Sequence, residues 1–186
     1  MPIKVDEDIY LSELTVQNAK ELFELVDGNR NHLRKWLSWV DKTRDINDTI
    51  EYIQSTLQQD IYSGKLVLEI WYKCEMAGLI DLHGGDSLNM KAEIGYWIAE
   101  KFQSKGIMTK ACRAFIDYAF NEIGLNRIVI RCAGENVKSR AVPERLNFNL
   151  EGIEKEGQQL YGKFLDLYVY AMVKRVWCDK VPESAS

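Results

Sequence analysis

Apolar residues recur along the chain with two periods, and each change of period marks a new element. Residues 9–14 (IYLSEL) alternate, Ile9, Leu11 and Glu13 against Tyr10, Ser12 and Leu14, which predicts a first strand. From Thr15 the spacing lengthens to three and four. Ala19, Leu22, Phe23, Leu25 and Val26 then share one stripe, and Thr15 is placed to cap the helix they predict. Asp27-Gly28-Asn29 closes that helix. A compact aromatic segment, NHLRKWLSWVD, follows. Asp45 or Asn47 opens a second helix expected to reach about Tyr62, with Ile46, Ile50, Ile53 and Leu57 on its inner face.

From Lys65 the period shortens to two or becomes a continuous apolar run. KLVLEIWY and EMAGLIDLH predict two strands joined by a tight hairpin at Lys73-Cys74-Glu75, then GGDSLN a loop and KAEIGYWIAE a third strand. Residues 106–122 carry the most regular helical pattern. Ile107, Met108, Ala111, Ala114, Phe115, Tyr118 and Ala119 recur at three and four, and Gly124 stops it. RIVIRCA predicts a buried strand. NVKSRAVPERLNF predicts a helix with Pro143 in its first turn, where its missing N–H is harmless. LEGIEKEGQQLYG and KFLDLYVYAMV pair as a closing hairpin. The alternation of elements predicts one α+β domain on a mixed sheet, residues 8–177, with a short tail at 178–186.

Composition narrows the class of function. At 186 residues, 46% hydrophobic and 28% charged, the chain suits one soluble domain with a full core. A net charge of -4 disfavours nucleic acid or an anionic membrane as main partner. The first residues, MPIKVDEDIY, lack an export signal, and no apolar run is long enough to span a membrane, so a cytoplasmic location is expected. Cys74, Cys112, Cys132 and Cys178 show no C-x-x-C spacing, which predicts buried free thiols rather than a metal site or disulfides.

One stretch carries candidate chemistry. In KFQSKGIMTKACRAF, residues 101–115, Gly106 stands between a strand-to-helix loop and the helix it opens. Gly106 is either a plain turn residue or the point where an anion approaches the backbone. A helix start offers unpaired N–H groups and a positive dipole end, with Ser104, Lys105, Thr109 and Lys110 nearby. The stretch is neither a Walker motif nor G-x-G-x-x-G.

Three stretches together resemble the GCN5-related N-acetyltransferase (GNAT) superfamily. IGYWIAEKFQSKGIMTKA (94–111) is similar to its strand-to-helix motif Gln/Arg-x-x-Gly-x-Gly/Ala, with Gln103, Gly106 and Met108 at those positions. RCAGENVKSRAVPERLNFNLEG (131–152) is similar to the family's next strand and a helix bearing Asn-x-x-Ser. HLRKWLSWVD (32–41) resembles the tryptophan segment of the RimJ/RimL branch, which acetylates ribosomal protein N-termini. The resemblance implies a mixed sheet of about seven strands with about four helices, and acetyl-CoA as co-substrate without a metal. It assigns the pyrophosphate to the amides of Gln103, Ser104, Lys105, Gly106, Ile107, Met108 and Thr109. It assigns the pantetheine arm to Asn136, the oxyanion to a backbone N–H near Trp97 or Ile98, and the proton for the departing thiolate to Ser139. Pro143 stands near the place of a tyrosine that does this last task in many relatives. Met108 replaces a small residue of the motif, and Asn147 a glycine.

The resemblance leaves the general base and the acceptor site less defined. Glu93 is a candidate base, Gln158 falls where some relatives carry a glutamate, and Glu154 and Glu156 are alternatives to it. Asp81 and His83 share a strand face and form either a relay or a surface pair. Trp36 and Trp39 either pack a short helix or wall an acceptor groove. In the second case His32 and Arg34 contact the acceptor, and Asp41, Asp81 and Glu93 make the groove acidic. The expected acceptor is a protein N-terminus, with a small amine as the alternative and a non-catalytic acyl-CoA-binding module as a third reading. Apolar residues on both faces of FLDLYVYAMV predict a homo-oligomer.

Overall fold

The computed structural model describes residues 2–59 and 65–179. Eight strands form one sheet in the order β1-β2-β3-β4-β5-β6-β8-β7. They are β1 (Ile3–Lys4), β2 (Ile9–Glu13), β3 (Leu66–Tyr72), β4 (Glu75–Asp86), β5 (Lys91–Ile98), β6 (Arg127–Ala133), β7 (Asn149–Leu160) and β8 (Lys163–Val173). The helices are α1 (Ala19–Asp27), α2 (Arg30–Leu33), α3 (Ile46–Leu57), α4 (Ile107–Asn121), α5 (Val137–Arg145) and α6 (Lys174–Cys178). The class is the expected α+β, with one more strand than the expected seven, because the short edge strand β1 pairs Ile3 with Leu11.

Every neighbouring pair is antiparallel except β5 and β6, which α4 joins as a parallel crossover. The two faces carry separate cores. Leu11, Ile70, Ile80, Ile94, Ile128 and Ile130 pack under Phe115, Ile116, Phe120 and Trp177 of α4 and α6. On the other face Val67, Met76 and Leu79 pack under Leu22, Val26 and Ile53 of α1 and α3. Fully burying side chains of this size stabilises by about 1.5–3 kcal/mol each, and those of α4 make it the principal clamp on the β5–β6 crossover.

Several local expectations are corrected. Helix α1 begins at Ala19 rather than Thr15, whose side chain makes no capping bond; a 3-10 turn at Val16–Asn18 intervenes. Helix α3 is closed at its start by a capping box of Asp45 and Asp48. It ends at Leu57 instead of near Tyr62, a position outside the described residues. Of its expected inner face Ile53 is buried and Ile50 packs against the same core; Thr49 and Thr56 are buried beside them, and Leu57 is exposed. Gly84 and Gly85 belong to β4 rather than to a loop, and Ser87 to Met90 make the turn. Pro143 sits at the seventh position of α5, not in its first turn. Only Cys112 and Cys132 are buried. Cys74 lies in the two-residue β3–β4 turn, where Lys73 and Cys74 both take positive φ, 51° and 63°, the twist such hairpins require. Trp177 is buried, and Cys178, the last residue of α6, is exposed.

Candidate active site

Pairing between β5 and β6 covers three residues, Lys91 with Arg127 through Glu93 with Val129, and then stops. Beyond that point residues 94–98 of β5 are held by β4 alone, and residues 130–133 of β6 by β8 alone. Backbone groups directed into this wedge are therefore free for a ligand that enters between the strands. Trp97 and Ile98, the expected oxyanion donors, stand on β5 along the wedge.

The loop above the wedge is fixed from below. Ala99 N–H donates to the Ala77 carbonyl at 2.9 Å, and Glu100 N–H to Asn29 Oδ1 at 2.9 Å. Phe102 is buried against Tyr72, their ring centroids 6.1 Å apart. Ser104 and Gly106 then take positive φ, 61° and 76°, and turn the chain into α4. The first α4 bond runs from Lys110 N–H to the Gly106 carbonyl at 3.1 Å. The amides of Ile107, Met108 and Thr109 precede it, so no helical carbonyl reaches them. Ile107 and Met108 both point into the core, so these two positions present only backbone to the outside. Met108 thus leaves the amide row unobstructed. The turn needs Gly106 for its positive φ, and a Cβ built there meets no atom within 4 Å, so the space over it is open. Lys110 is tied to Asp6 at 2.7 Å, and Lys105 stands 5.6 Å from the Phe102 ring centroid.

Gln103 bridges three elements. Its Oε1 accepts from Lys138 Nζ of α5 at 2.6 Å, and its Nε2 lies 2.8 Å from His32 Nε2 of α2. Burial holds His32 below the ordinary histidine range. Its neutral ring accepts from the amide at Nε2.

At the base of the wedge three side chains from β5, β6 and α5 converge. Ser139 Oγ lies 3.3 Å from Cys132 Sγ and 3.5 Å from Tyr96 Oη. Tyr96 Oη donates to the Ser139 carbonyl at 2.8 Å. Burial raises Cys132 and pushes Tyr96 well above its usual range, so both stay protonated at neutral pH. Asn136 caps α5, its Oδ1 accepting from Ser139 N–H at 3.2 Å. Asn147 ends the helix region with φ of 57°, the conformation a glycine would take.

The opposite face of β5 carries the expected acceptor residues. Trp39 tilts against Trp97 at 6.0 Å between centroids, while Trp36 is half-buried on the same segment. Asp81 Oδ1 lies 2.7 Å from His83 Nδ1, and His83 Nε2 lies 3.6 Å from Glu93 Oε1. The hydrogen bond to Asp81, then that to Glu93, pushes His83 up to about 9. At neutral pH it is an imidazolium, able to neutralise carboxylates but not to take a proton from an amine. Glu93 is also bound by Arg131, which in turn reaches Glu154 at 3.1 Å. Gly95 lies opposite Asp81, and a Cβ there would come 3.0 Å from Asp81 Oδ2, so glycine is what lets the pair sit flat on the sheet. Farther out, Arg34 pairs with Asp41 at 2.9 Å and stands 5.2 Å over the Tyr161 ring, tying the β7–β8 turn to the tryptophan segment.

Sequence reasoning missed Tyr96, Cys132 and Lys138 at the site. A helical proline with no donor of its own, four residues after Ser139, was the available signal for Tyr96.

A mixed α+β sheet split between its parallel strands, with a bare amide row above the split, defines a class of acyl-CoA-dependent transferases. The model of the acetyltransferase (GNAT) domain matches residues 8–149, and the chain belongs to that family. YdaF of Bacillus subtilis (strain 168), provisionally named a ribosomal N-acetyltransferase, is 41% identical over 94% of this chain and 96% of its own length. The ribosomal-protein-serine acetyltransferase of Escherichia coli (strain K12) is 30% identical over 92% and 96%. The structure of a RimL ribosomal L7/L12 α-N-protein acetyltransferase in complex with coenzyme A superposes with a TM-score of 0.89. It is 28% identical, and the match covers 93% of this chain and 98% of that one.

Proposed function

We propose that this enzyme moves an acetyl group from acetyl-CoA to the N-terminal α-amine of a protein, a ribosomal protein foremost, by direct attack in a ternary complex. The observation that carries the reading is the wedge between β5 and β6, with the unpaired α4 amides at one end and the Ser139 hydroxyl at its base. The names of the full-length relatives favour a ribosomal protein as acceptor.

The geometry supports a division of labour. The amides at the start of α4 hold the pyrophosphate, with the positive end of the helix behind them. Asn136 Nδ2 and the free edge of β5 hold the pantetheine arm, which brings the thioester to Ser139. A β5 amide near Trp97 or Ile98 stabilises the oxyanion formed when the amine nitrogen attacks the carbonyl carbon. As the C–S bond breaks, Ser139 gives its proton to the thiolate. The proton lost by the amine returns through water to the Ser139 oxygen and restores its hydroxyl.

Acceptor choice follows from proton energetics. A peptide α-amine with a pKa of about 7.7–8.0 costs about 1 kcal/mol to neutralise at pH 7, and a lysine at about 10.4 costs about 4.6 kcal/mol. With His83 already protonated and Glu93 bound to Arg131, neither is free to act as a strong base, which suits an α-amine. Asp81, Glu93 and Trp39 line the approach of the positively charged terminus. The reading sets the enzyme in the cytoplasm, and exposed Leu150, Ile153 and Phe164 on the closing hairpin suit an assembly of two or more copies.

A screen of N-terminal peptides and polyamines with acetyl-CoA, followed by free thiol release, tests the reading. Turnover on peptides with a free α-amine is expected. Turnover on polyamines alone would replace it with the small-amine reading, and CoA binding without transfer to any amine would leave only a binding module.

A further inference from the structure

Helix α5 presents Ser139 but is poorly anchored by apolar contacts. Of its nine residues only Val142 and Pro143 are buried. Its position therefore depends on polar pins: Arg140 Nε donating to the Tyr170 hydroxyl of β8 at 3.1 Å, that hydroxyl donating to Glu144 Oε1 at 2.6 Å, Lys138 Nζ on Gln103 at 2.6 Å, and Tyr96.

The Tyr96 pin has a specific cause. In an α-helix the N–H of residue 143 would donate to the carbonyl of residue 139, and a proline there has no N–H and its ring presses that carbonyl aside. The helix continues past the proline, with Leu146 N–H on the Val142 carbonyl at 3.1 Å. The Ser139 carbonyl loses its helical partner, and it is the atom that the Tyr96 hydroxyl donates to, at 2.8 Å. Tyr96 stands on β5 in the wedge, so the bond crosses from the strand that would polarise the thioester to the helix that would protonate its sulfur. Its own proton being spent on this carbonyl, Tyr96 is not itself the acid, and it offers its oxygen to Ser139 Oγ at 3.5 Å.

We infer that Tyr96 is a positioning residue whose hydroxyl replaces the backbone donor that Pro143 lacks, and so fixes Ser139 at the thioester. The inference rests on Ser139 as the acid of the proposed reaction.

A double-mutant cycle tests it. Tyr96→Phe keeps the ring and removes the donor. It is expected to lower Tm by about 3–6 °C and kcat about tenfold, with the KM for acetyl-CoA within about twofold of wild type. Pro143→Ala restores a helical N–H to the Ser139 carbonyl. It is expected to raise Tm more in the Tyr96→Phe background than in wild type, and to recover part of kcat only there. Equal Tm increments in the two backgrounds, or an unchanged kcat in Tyr96→Phe, would overturn the inference. Ser139→Ala, run alongside, separates the two layers. If it keeps wild-type turnover, the acid role fails, while a coupled Tm cycle still upholds the Tyr96–Pro143 exchange.

Discussion

Ser139 illustrates how a single side chain inherits its chemistry from its neighbours. Its hydroxyl lies 3.3 Å from a thiol and 3.5 Å from a phenol, both kept neutral by burial, so nothing beside it competes as an anion for its proton. Ser139→Ala is expected to reduce kcat about a hundredfold with the KM for acetyl-CoA nearly unchanged; equal loss in both would assign the serine to binding. His83 yields a second prediction. Its folded pKa of about 9 lies above the unfolded 6.5, so the stability it contributes is complete below pH 6.5 and is lost as pH rises through 9. The imidazole resonances should titrate near 9, and the Tm difference between wild type and His83→Gln should shrink between pH 6.5 and 9. Titration near 6.5 would remove the Asp81–His83–Glu93 cluster as a fixed charge. The sequence pointed to these residues only as types at suitable spacing. The larger support of the His83 charge, Asp81, lies two residues away and was legible as a shared strand face, while the second, Glu93, comes from the β4–β5 register, which no local pattern encodes.

The start of α4 was the most legible element, because glycine, loop and apolar stripe are contiguous in the chain. Structure adds that Gly106 needs its positive φ of 76° independently of any ligand. Gly106→Ala is expected to cost about 1–2 kcal/mol from the left-handed backbone, with no steric clash inside the chain, since no atom lies within 4 Å. CoA affinity should fall tenfold or more as the methyl group enters the anion's space, as measured by calorimetry. A small Tm loss with unchanged affinity would leave Gly106 a turn residue only. Helix α3 was legible at its start and in part at its inner face, where Ile50 and Ile53 pack as expected. The Asp45 cap was readable, but burial of Thr49 and Thr56 and exposure of Leu57 follow from where α1 lies. Asp45→Ala is expected to cost about 1 kcal/mol, read as a Tm loss of about 2–4 °C. An unchanged Tm would mean that packing alone holds the helix start. Pro143 shows the converse limit. Its place inside α5 is tolerated through Tyr96, a partner 47 positions earlier (143 − 96) that no window on the sequence contains.

At the level of the whole molecule, one long-range event makes the site: β5 and β6 pair for three residues and part. The class of fold was legible from the order of periods along the chain. The parting was not, since it lies in the pairing between distant strands, where residues 94–98 of β5 stay with β4 and residues 130–133 of β6 with β8. The same geometry puts Tyr96, Cys132 and Ser139 on one sheet face and Asp81, Glu93 and Trp39 on the other, so in the proposed reaction the amine comes to the thioester from the side opposite α4. That arrangement favours an extended chain end over a lysine on a folded surface, in line with the cost of neutralising each amine. Tandem mass spectrometry of a peptide bearing both a free α-amine and a lysine, after incubation with the enzyme and acetyl-CoA at pH 7, tests this most directly. Acetylation of the α-amine, absent when the enzyme is omitted, is the predicted result; acetylation confined to the lysine, or none on either amine, would contradict it.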